Sequence, residues 1–319
     1  MVGCVIVHDD KIIGEGWHQR YGEAHAEVNA VNQVIGAGLE ELLPQSTVYV
    51  TLEPCAHFGK TPPCADLLVQ KQVKKVVIAN PDPNPLVGGR GIQKLKEAGI
   101  EVVTGILAEE GQQLNRRFFT FLKHKRPYIM LKWAETADGF IADEDKKPLI
   151  ISGLLSRTLS HQWRTQEDAI LVGTNTALND NPQLNARLWA GRNPIRIVLD
   201  RTLRLPHHLH LFDNTQQTRC YNAFKNEDKG RTTFVQINFD EEFLTHLLED
   251  LYRNNIQSLL VEGGGVVLQS FLNEGLFDEV RVFKSPHVVG QGTAAPSLPT
   301  GLKQVAIQQI GEDWLTHFV

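Results

Sequence analysis

Twice along the chain, short strand-like runs alternate with amphipathic helix-like runs. The first series reads "VGCVIV" (2–7) and "KIIGEGWH" (11–18) joined by "HDD", then "HAEVNAVNQVIGAG", "STVYVTLEP", "PPCADLLVQKQ", "VKKVVIANPDP", "GGRGIQKLKEAG" and "IEVVTGI". The second reads "YIMLKWAETADG", "EDAILVGTNTAL", "NPIRIVLDR", "TTFVQINF", "EEFLTHLLEDLYRNN", "IQSLLVEGGGVVLQSFLNEG" and "DEVRVFKSPHVVG". Apolar, β-branched runs bounded by Gly, Pro or Asp read as strands, and apolar residues three and four apart ending at Gly read as helices. A helix between two strands carries the chain back, so the strands lie largely parallel and the fold class is α/β. The alternation stops near residue 110, and the segment 111–127 is polar, aromatic and basic, closed by Pro127. A chain of 319 residues also exceeds one typical core. Two domains are therefore expected, 1–122 and 123–319.

Composition narrows what those domains do. With 42% hydrophobic and 22% charged residues the chain is globular in type. Net charge is −5 and the basic residues are scattered, with one cluster at "NRRFFTFLKHKRP", which argues against a nucleic-acid partner. No apolar run reaches the ~18 residues of a membrane span. The N-terminus "MVGCVIVHDDK" carries no basic leader and enters a strand at once, so chain upstream of it is expected. Four cysteines make no disulfide scaffold and fit a reducing cytoplasm.

Two of those cysteines, Cys55 and Cys64, lie in "EPCAHFGKTPPCAD" with eight residues between them, at a strand end and a helix start. A catalytic zinc takes three protein ligands and leaves one position open. Upstream, "HAE" opens the first helix, with His25 as a nitrogen ligand and Glu27 placed to move protons without binding metal. The dipole of the second helix would favour the Cys64 thiolate. One His, two Cys and one free Glu match the zinc deaminases, which attack an amino-bearing ring carbon with activated water. Alone, a His at a helix start is usually a surface residue and a lone Cys a small buried hydrophobe; Cys4 and Cys220 read that way. A nucleic-acid or nucleoside base deaminase is the alternative, but would bring a basic groove and two residues between the cysteines. A structural zinc would need a fourth ligand, for which His57 is the candidate within the motif.

In the second half, "EGGG" between a strand and a helix lets backbone approach a phosphate at a helix N-terminus, or simply makes a tight turn. It is not the G-x-G-x-x-G of a dinucleotide fold. Arg164 and Arg187 suit a phosphate through the guanidinium fork, or are solvated surface arginines. Asp180 could as well cap a turn.

The long form "EPCAHFGKTPPCAD", with "VGCVIV", "HAEVNA", "YVTLEPC" and "NPDPNPLVGGRGIQKLKEAGIEV", resembles the bifunctional pyrimidine deaminase/reductase family of riboflavin biosynthesis. "KWAETADG", "AILVGTNTALNDNPQLNAR", "PIRIVLDR" and "VEGGGVVLQSFL" extend the resemblance over most of the chain. It implies a cytidine-deaminase-like N-terminal domain releasing ammonia from a diaminopyrimidine ribotide. It also implies a dihydrofolate-reductase-like C-terminal domain using NADPH to reduce the ribosyl group to ribityl. On this resemblance His25, Cys55 and Cys64 match zinc ligands and Glu27 the proton shuttle. Ala134, Thr176, Asp180, Gly264, Gly265 and Val266 match cofactor contacts; Arg164, Leu184, Arg187 and Glu262 match substrate contacts, with Lys132 in the same pocket. The partner implied is a small phosphorylated pyrimidine ribotide, and the assembly a homodimer or larger. Two departures follow. The family's helix and Asn-Pro stretch before "VGCVIV" are expected to be missing, and with them cover for the sheet. Leu149 or Ile150 stands where the family has a cofactor-touching tryptophan.

Overall fold

The structure is a computed structural model and describes every residue except 21, 59–61, 85–86 and 146–148. The chain divides into two compact units, Met1–Lys123 and His124–Val319.

In the first unit the strands are β1 (Gly3–His8), β2 (Lys11–Trp17), β3 (Thr47–Leu52), β4 (Lys75–Asn80) and β5 (Glu101–Thr104), ordered β2-β1-β3-β4-β5. β1 runs antiparallel to β2 and β3, and β3, β4 and β5 are parallel. The helices are α1 (Ala26–Gly36), α2 (Cys64–Gln70), α3 (Arg90–Glu97), α4 (Ala108–Leu114) and α5 (Arg116–His124). Alternation sends Cys4 and Ile6 of β1, Val48 and Val50 of β3, and Val76 and Ile78 of β4 to one buried face. α1 meets that face with Ala26, Ala30, Val31 and Val34, one helical stripe. The contact is close. A Cβ at Gly16 of β2 would stand 2.5 Å from the Ala26 carbonyl oxygen, so glycine there sets how near α1, and the residues at its head, come to the sheet. The other face is open. Val5, Trp17, Tyr49, Val77, Ile106 and Leu114 line a cleft of about 490 Å³ there. Trp17, Tyr49 and Ile106 remain 60%, 44% and 51% exposed. α4 and α5 occupy the segment read from sequence only as a polar break.

The second unit is built on β6 (Tyr128–Glu135), β8 (Ala169–Gly173), β9 (Ile195–Leu199), β10 (Thr218–Asn222), β12 (Thr232–Gln236), β13 (Ser258–Gly263) and β14 (Glu279–Lys284). These are parallel and ordered β12-β10-β9-β8-β13-β6-β14. β11 (Glu227–Lys229) pairs antiparallel at one edge; β17 (Asp313–Phe318) and β16 (Gln304–Ile310) add antiparallel at the other. β7 (Phe140–Asp143) and β15 (Gly292–Ala294) form a separate ribbon. Ile129 and Leu131 of β6 face α8 (Phe243–Arg253) and α9 (Gly265–Asn273) through Leu247, Leu251 and Phe271. Met130 faces the other side, with Trp163 of α6 (Leu154–Gln166) and Ala177 of α7 (Thr174–Asp180). Both faces are covered, which is why these strands read as unbroken apolar runs. Each buried Leu or Ile contributes about 1.5–3 kcal/mol.

Candidate functional site

His25 is the N-cap of α1, Cys64 the first residue of α2, and Cys55 follows β3. The topology brings these three junctions to one place. His25 Nδ1 lies 3.5 Å from Cys55 Sγ and 3.3 Å from Cys64 Sγ. All three donor atoms fall within 4.8 Å of one another. Ligand atoms on a tetrahedron with zinc bonds of about 2.0 and 2.3 Å stand roughly 3.5 Å apart, so two sulfurs and a nitrogen at these distances fit zinc. Among the described residues no fourth His, Cys, Asp or Glu joins the group, and His57 is exposed. This is the open set of a catalytic metal rather than the closed set of a structural one.

The electrostatics differ from the sequence expectation in one respect. The amide of Cys64 at the head of α2 donates to Cys55 Sγ at 3.3 Å. The helix therefore supports the Cys55 thiolate. Hydrogen bonding from Cys64 brings Cys55 down to about 5, against the opposing effect of burial. Cys64 is pushed up, first by its hydrogen bond to Cys55, then by burial and the charge of Glu27. Of the two thiols Cys55 is thus the readier to ionise. Glu27 is 3% exposed, and burial pushes its carboxyl up. His18 was not singled out from sequence. Its ring packs edge-on against His25 with centroids 5.3 Å apart, and its Nε2 is buried without a partner. Its signal was "WHQRYGEAHAE", a polar strand end seven residues before His25.

Glu53, also missed, organises the loop beside this site. Its Oε2 accepts from the amides of Asp82 and Gly89, and its Oε1 from those of Gly91 and Ile92. The glutamate of "EPC" is therefore a buried clamp on the chain entering α3. A Cβ at Gly91 would stand 2.0 Å from the Pro54 carbonyl oxygen, so the loop closes on the motif only with glycine there.

In the second unit the sequence-assigned residues gather at the carboxyl ends of β6, β8 and β13, where open α/β sheets bind ligands. Lys132 and Ala134 lie on β6, Glu262 on β13, Gly264 to Val266 at the head of α9, and Thr176 and Asp180 on α7 after β8. Glu262 is gripped by Arg164 through Nε at 2.8 Å and Nη2 at 2.7 Å, while Nη1 donates to the Asn185 carbonyl at 2.9 Å. Burial alone would raise the Glu262 carboxyl, but Arg164 and Lys132 outweigh it and hold it down to about 2. Burial lowers Lys132, with Glu262 opposing. Thr176 faces the glycine turn: a Cβ at Gly264 would stand 3.0 Å from its Oγ1. Val266 is 80% exposed, and Leu149 and Ile150 stand 40% and 67% exposed. Leu184 is buried.

Residues 1–80 match the cytidine and deoxycytidylate deaminase zinc-binding region, and residues 127–316 the RibD C-terminal domain. The riboflavin biosynthesis protein RibD of Aquifex aeolicus is 40% identical over 99% of this chain and 91% of its own length. That of Escherichia coli is 35% identical over 100% and 92%. Among solved structures, the diaminohydroxyphosphoribosylaminopyrimidine deaminase/5-amino-6-(5-phosphoribosylamino)uracil reductase of Thermotoga maritima superposes with a TM-score of 0.89. It is 37% identical, covering 99% of this chain and 91% of that one. Acinetobacter baumannii RibD gives 0.89 at 36% identity, covering 100% and 91%.

Proposed function

The chain belongs to the RibD family of riboflavin biosynthesis proteins, and from that premise we propose which of its residues carry each reaction. It is a bifunctional enzyme. Its cytidine-deaminase-like unit removes the amine of a diaminopyrimidine ribotide with zinc, and its dihydrofolate-reductase-like unit reduces the ribosyl group to ribityl with NADPH.

In the first unit His25, Cys55 and Cys64 hold the zinc, which when bound supplies the Lewis acidity that makes water a nucleophile near neutral pH. Glu27 does the proton work. Buried beside the imidazole and both thiols, its carboxyl keeps a proton more readily than a surface glutamate does. It takes a proton from the attacking water and delivers one to the departing amine. The single observation supporting this most is the three-donor cluster with a buried carboxyl two residues from its histidine.

In the second unit Ala134, Thr176, Asp180, Gly264, Gly265 and Val266 form the NADPH side of the pocket; NADPH when bound supplies the hydride. The backbone at Gly264 and Gly265, opening α9, is placed for a phosphate of the cofactor. Leu184, Arg164, Arg187, Glu262 and Lys132 form the ribotide side. Glu262, kept ionised by Arg164, accepts hydrogen bonds from ribose hydroxyls, and Lys132, whose ammonium burial makes a readier acid, is the group able to give up a proton to the sugar being reduced. Incubation with the ribotide, with and without NADPH, tests the reading. Mass spectrometry should find the deaminated ribosyl product without NADPH and the ribityl product with it; neither mass change would overturn it.

The same reading makes the protein a cytoplasmic homodimer. Among the described residues no helix is long and apolar enough to cross a membrane. The sheet edge β16 leaves Val305 and Ile307 44% and 57% exposed, as a strand awaiting a second copy would. Sedimentation should give about twice the 35.7 kDa chain mass; a monomer at all concentrations would contradict it.

A further inference from the structure

The helix α6 carries Arg164 in its last turn, and the geometry around Glu262 depends on where that turn lies. Arg164 grips Glu262 with Nε at 2.8 Å and Nη2 at 2.7 Å. A bidentate pair tolerates little sliding of either partner. In the same turn Trp163 stacks on Phe283 of β14 with centroids 5.4 Å apart, and the Arg281 guanidinium lies 4.3 Å from the Trp163 ring. Side chains of the sheet therefore hold this end of the helix.

The head of α6 has no cap of its own. Its N-cap is Gly153, which has no side chain to offer the free amides of the first turn. The backbone does not require glycine there, since φ −67° and ψ 174° suit any residue. An added Cβ would meet only a carboxylate oxygen of Asp313, at an ordinary 3.6 Å. The acceptor comes instead from the C-terminal hairpin. Asp313, 2% exposed at the start of β17, accepts from the Gly153 amide at 2.8 Å and from the Ser156 hydroxyl at 2.5 Å, both through Oδ2. The positive end of the helix dipole also favours a carboxylate at this point. Two further contacts tie the hairpin to α6. Ile310 and Leu315 pack against the cluster that includes Trp163. At the turn between β16 and β17, a Cβ on Gly311 would stand 3.4 Å from Leu155 Cδ1.

A helix is stiff over this length. From Ser156 to Arg164 is roughly 12 Å along the axis, at about 1.5 Å per residue. A rod tied at both ends has one axial position. A cap that served helix stability alone could stand at position 153; one placed 160 residues later joins α6 to β17. β17 is paired with β14, and β14 with β6, which bears Lys132. The tether thus refers α6 to the sheet that carries the pocket.

We propose that Asp313 is a positioning residue for the reduction, fixing α6 to the C-terminal hairpin so that Arg164 holds Glu262 where the ribotide meets it. The proposal rests on the reading of this unit as the ribotide reductase and of Glu262 as a substrate contact. It places a determinant of reduction outside the groups that touch substrate or cofactor.

The test measures reduction of the deaminated ribotide, NADPH affinity and urea stability on the full chain. Asp313→Ala should lower kcat for reduction about tenfold, the scale of a sub-ångström misplacement, while NADPH affinity moves by about twofold or less. Ammonia release should be unchanged. Asp313→Asn, which keeps an oxygen for the Gly153 amide, should recover most of the rate. A local cap, Gly153→Asp, added to the Asp313→Ala chain should recover stability but not kcat, because the helix is then capped without being tied to the hairpin. Recovery of kcat together with stability, or an unchanged kcat in Asp313→Ala, overturns the proposal. If Asp313→Ala does not fold, Ser156→Ala removes one of the two bonds instead. A kcat lowered about two- to threefold in that variant supports the proposal, and an unaltered kcat overturns it. If the unaltered enzyme does not reduce the ribotide, the reductase reading falls by itself, and the Arg164 side chain decides the tether. Its Nε–H resonance, assigned by its loss in Arg164→Lys, should shift in Asp313→Ala and should not return with Gly153→Asp; an unmoved resonance overturns the tether.

Discussion

On the proposed reading single side chains carry both halves of the chemistry, and their states follow from what surrounds them. Hydrogen bonding from Cys64 favours the Cys55 thiolate, while that same bond, burial and the charge of Glu27 oppose ionisation of Cys64. A divalent cation would offset the cost of ionising Cys64, so metal binding and the second thiolate favour one another. Cys55→Ser and Cys64→Ser should each fall from about one zinc per chain to well below half by elemental analysis; full occupancy in either would remove that residue from the ligand set. Glu262 shows the same logic with organic partners. Its folded value, about 2, lies below the ordinary carboxyl value near 4.3. Its ion pair with Arg164 therefore stabilises the unit fully above pH ~4.3, and the contribution is lost as pH falls toward about 2. About two units at roughly 1.4 kcal/mol each makes this on the order of 3 kcal/mol, little screened because the side chains are only 12% and 9% exposed. Glu262→Gln should lose about that much stability to urea at pH 7, and the gap should close near pH 2. A pH-independent gap would mean that the carboxyl is not held ionised.

At the scale of elements, the Glu53 clamp makes its own prediction. Four amides converge on one carboxylate, so Glu53→Gln leaves two of them facing an amino group. A loss of about 2 kcal/mol or more is expected in the first unit. In calorimetry the deaminase transition should drop and the reductase transition should stay; an unmoved pair would show that the loop holds without the clamp. Elements were legible in proportion to how one-sided or how buried they are. β6, β8 and β13 bury both faces and read as apolar runs, and α1 and α8 carry clean stripes. α4 and α5 were not recognised, because "AEEGQQL" and "RRFFTFLKH" mix charges with aromatics, though α5 buries Phe119 and Phe121. The hairpin of β16 and β17 was missed as well: six of the seven residues of β16 are exposed, so no alternation marks it. The clustering of His25, Cys55 and Cys64 was legible because they sit at junctions that glycine and proline punctuate. Asp313, Glu53 and His18 were not, since nothing in one sequence separates a buried polar group from a surface one. Arg196 is the extreme case, 1% exposed in "IRIVL" and bound to the Gln183 and His210 carbonyls.

Over the whole molecule, two reactions fall to two units, each with its own core. On the proposed reading, deamination depends on a buried carboxyl beside a three-ligand metal set, and reduction on an ion-paired carboxylate in a cationic pocket. Glu27→Gln separates them most directly. The variant should keep about one zinc per chain and lose a hundred- to ten-thousandfold in ammonia release. It should still reduce the deaminated ribotide with NADPH at close to the unaltered rate. Measuring ammonia release and NADPH oxidation on one preparation of that variant is the decisive comparison. Loss of the first with retention of the second is the predicted result; equal loss of both, or undiminished deamination, would contradict the account.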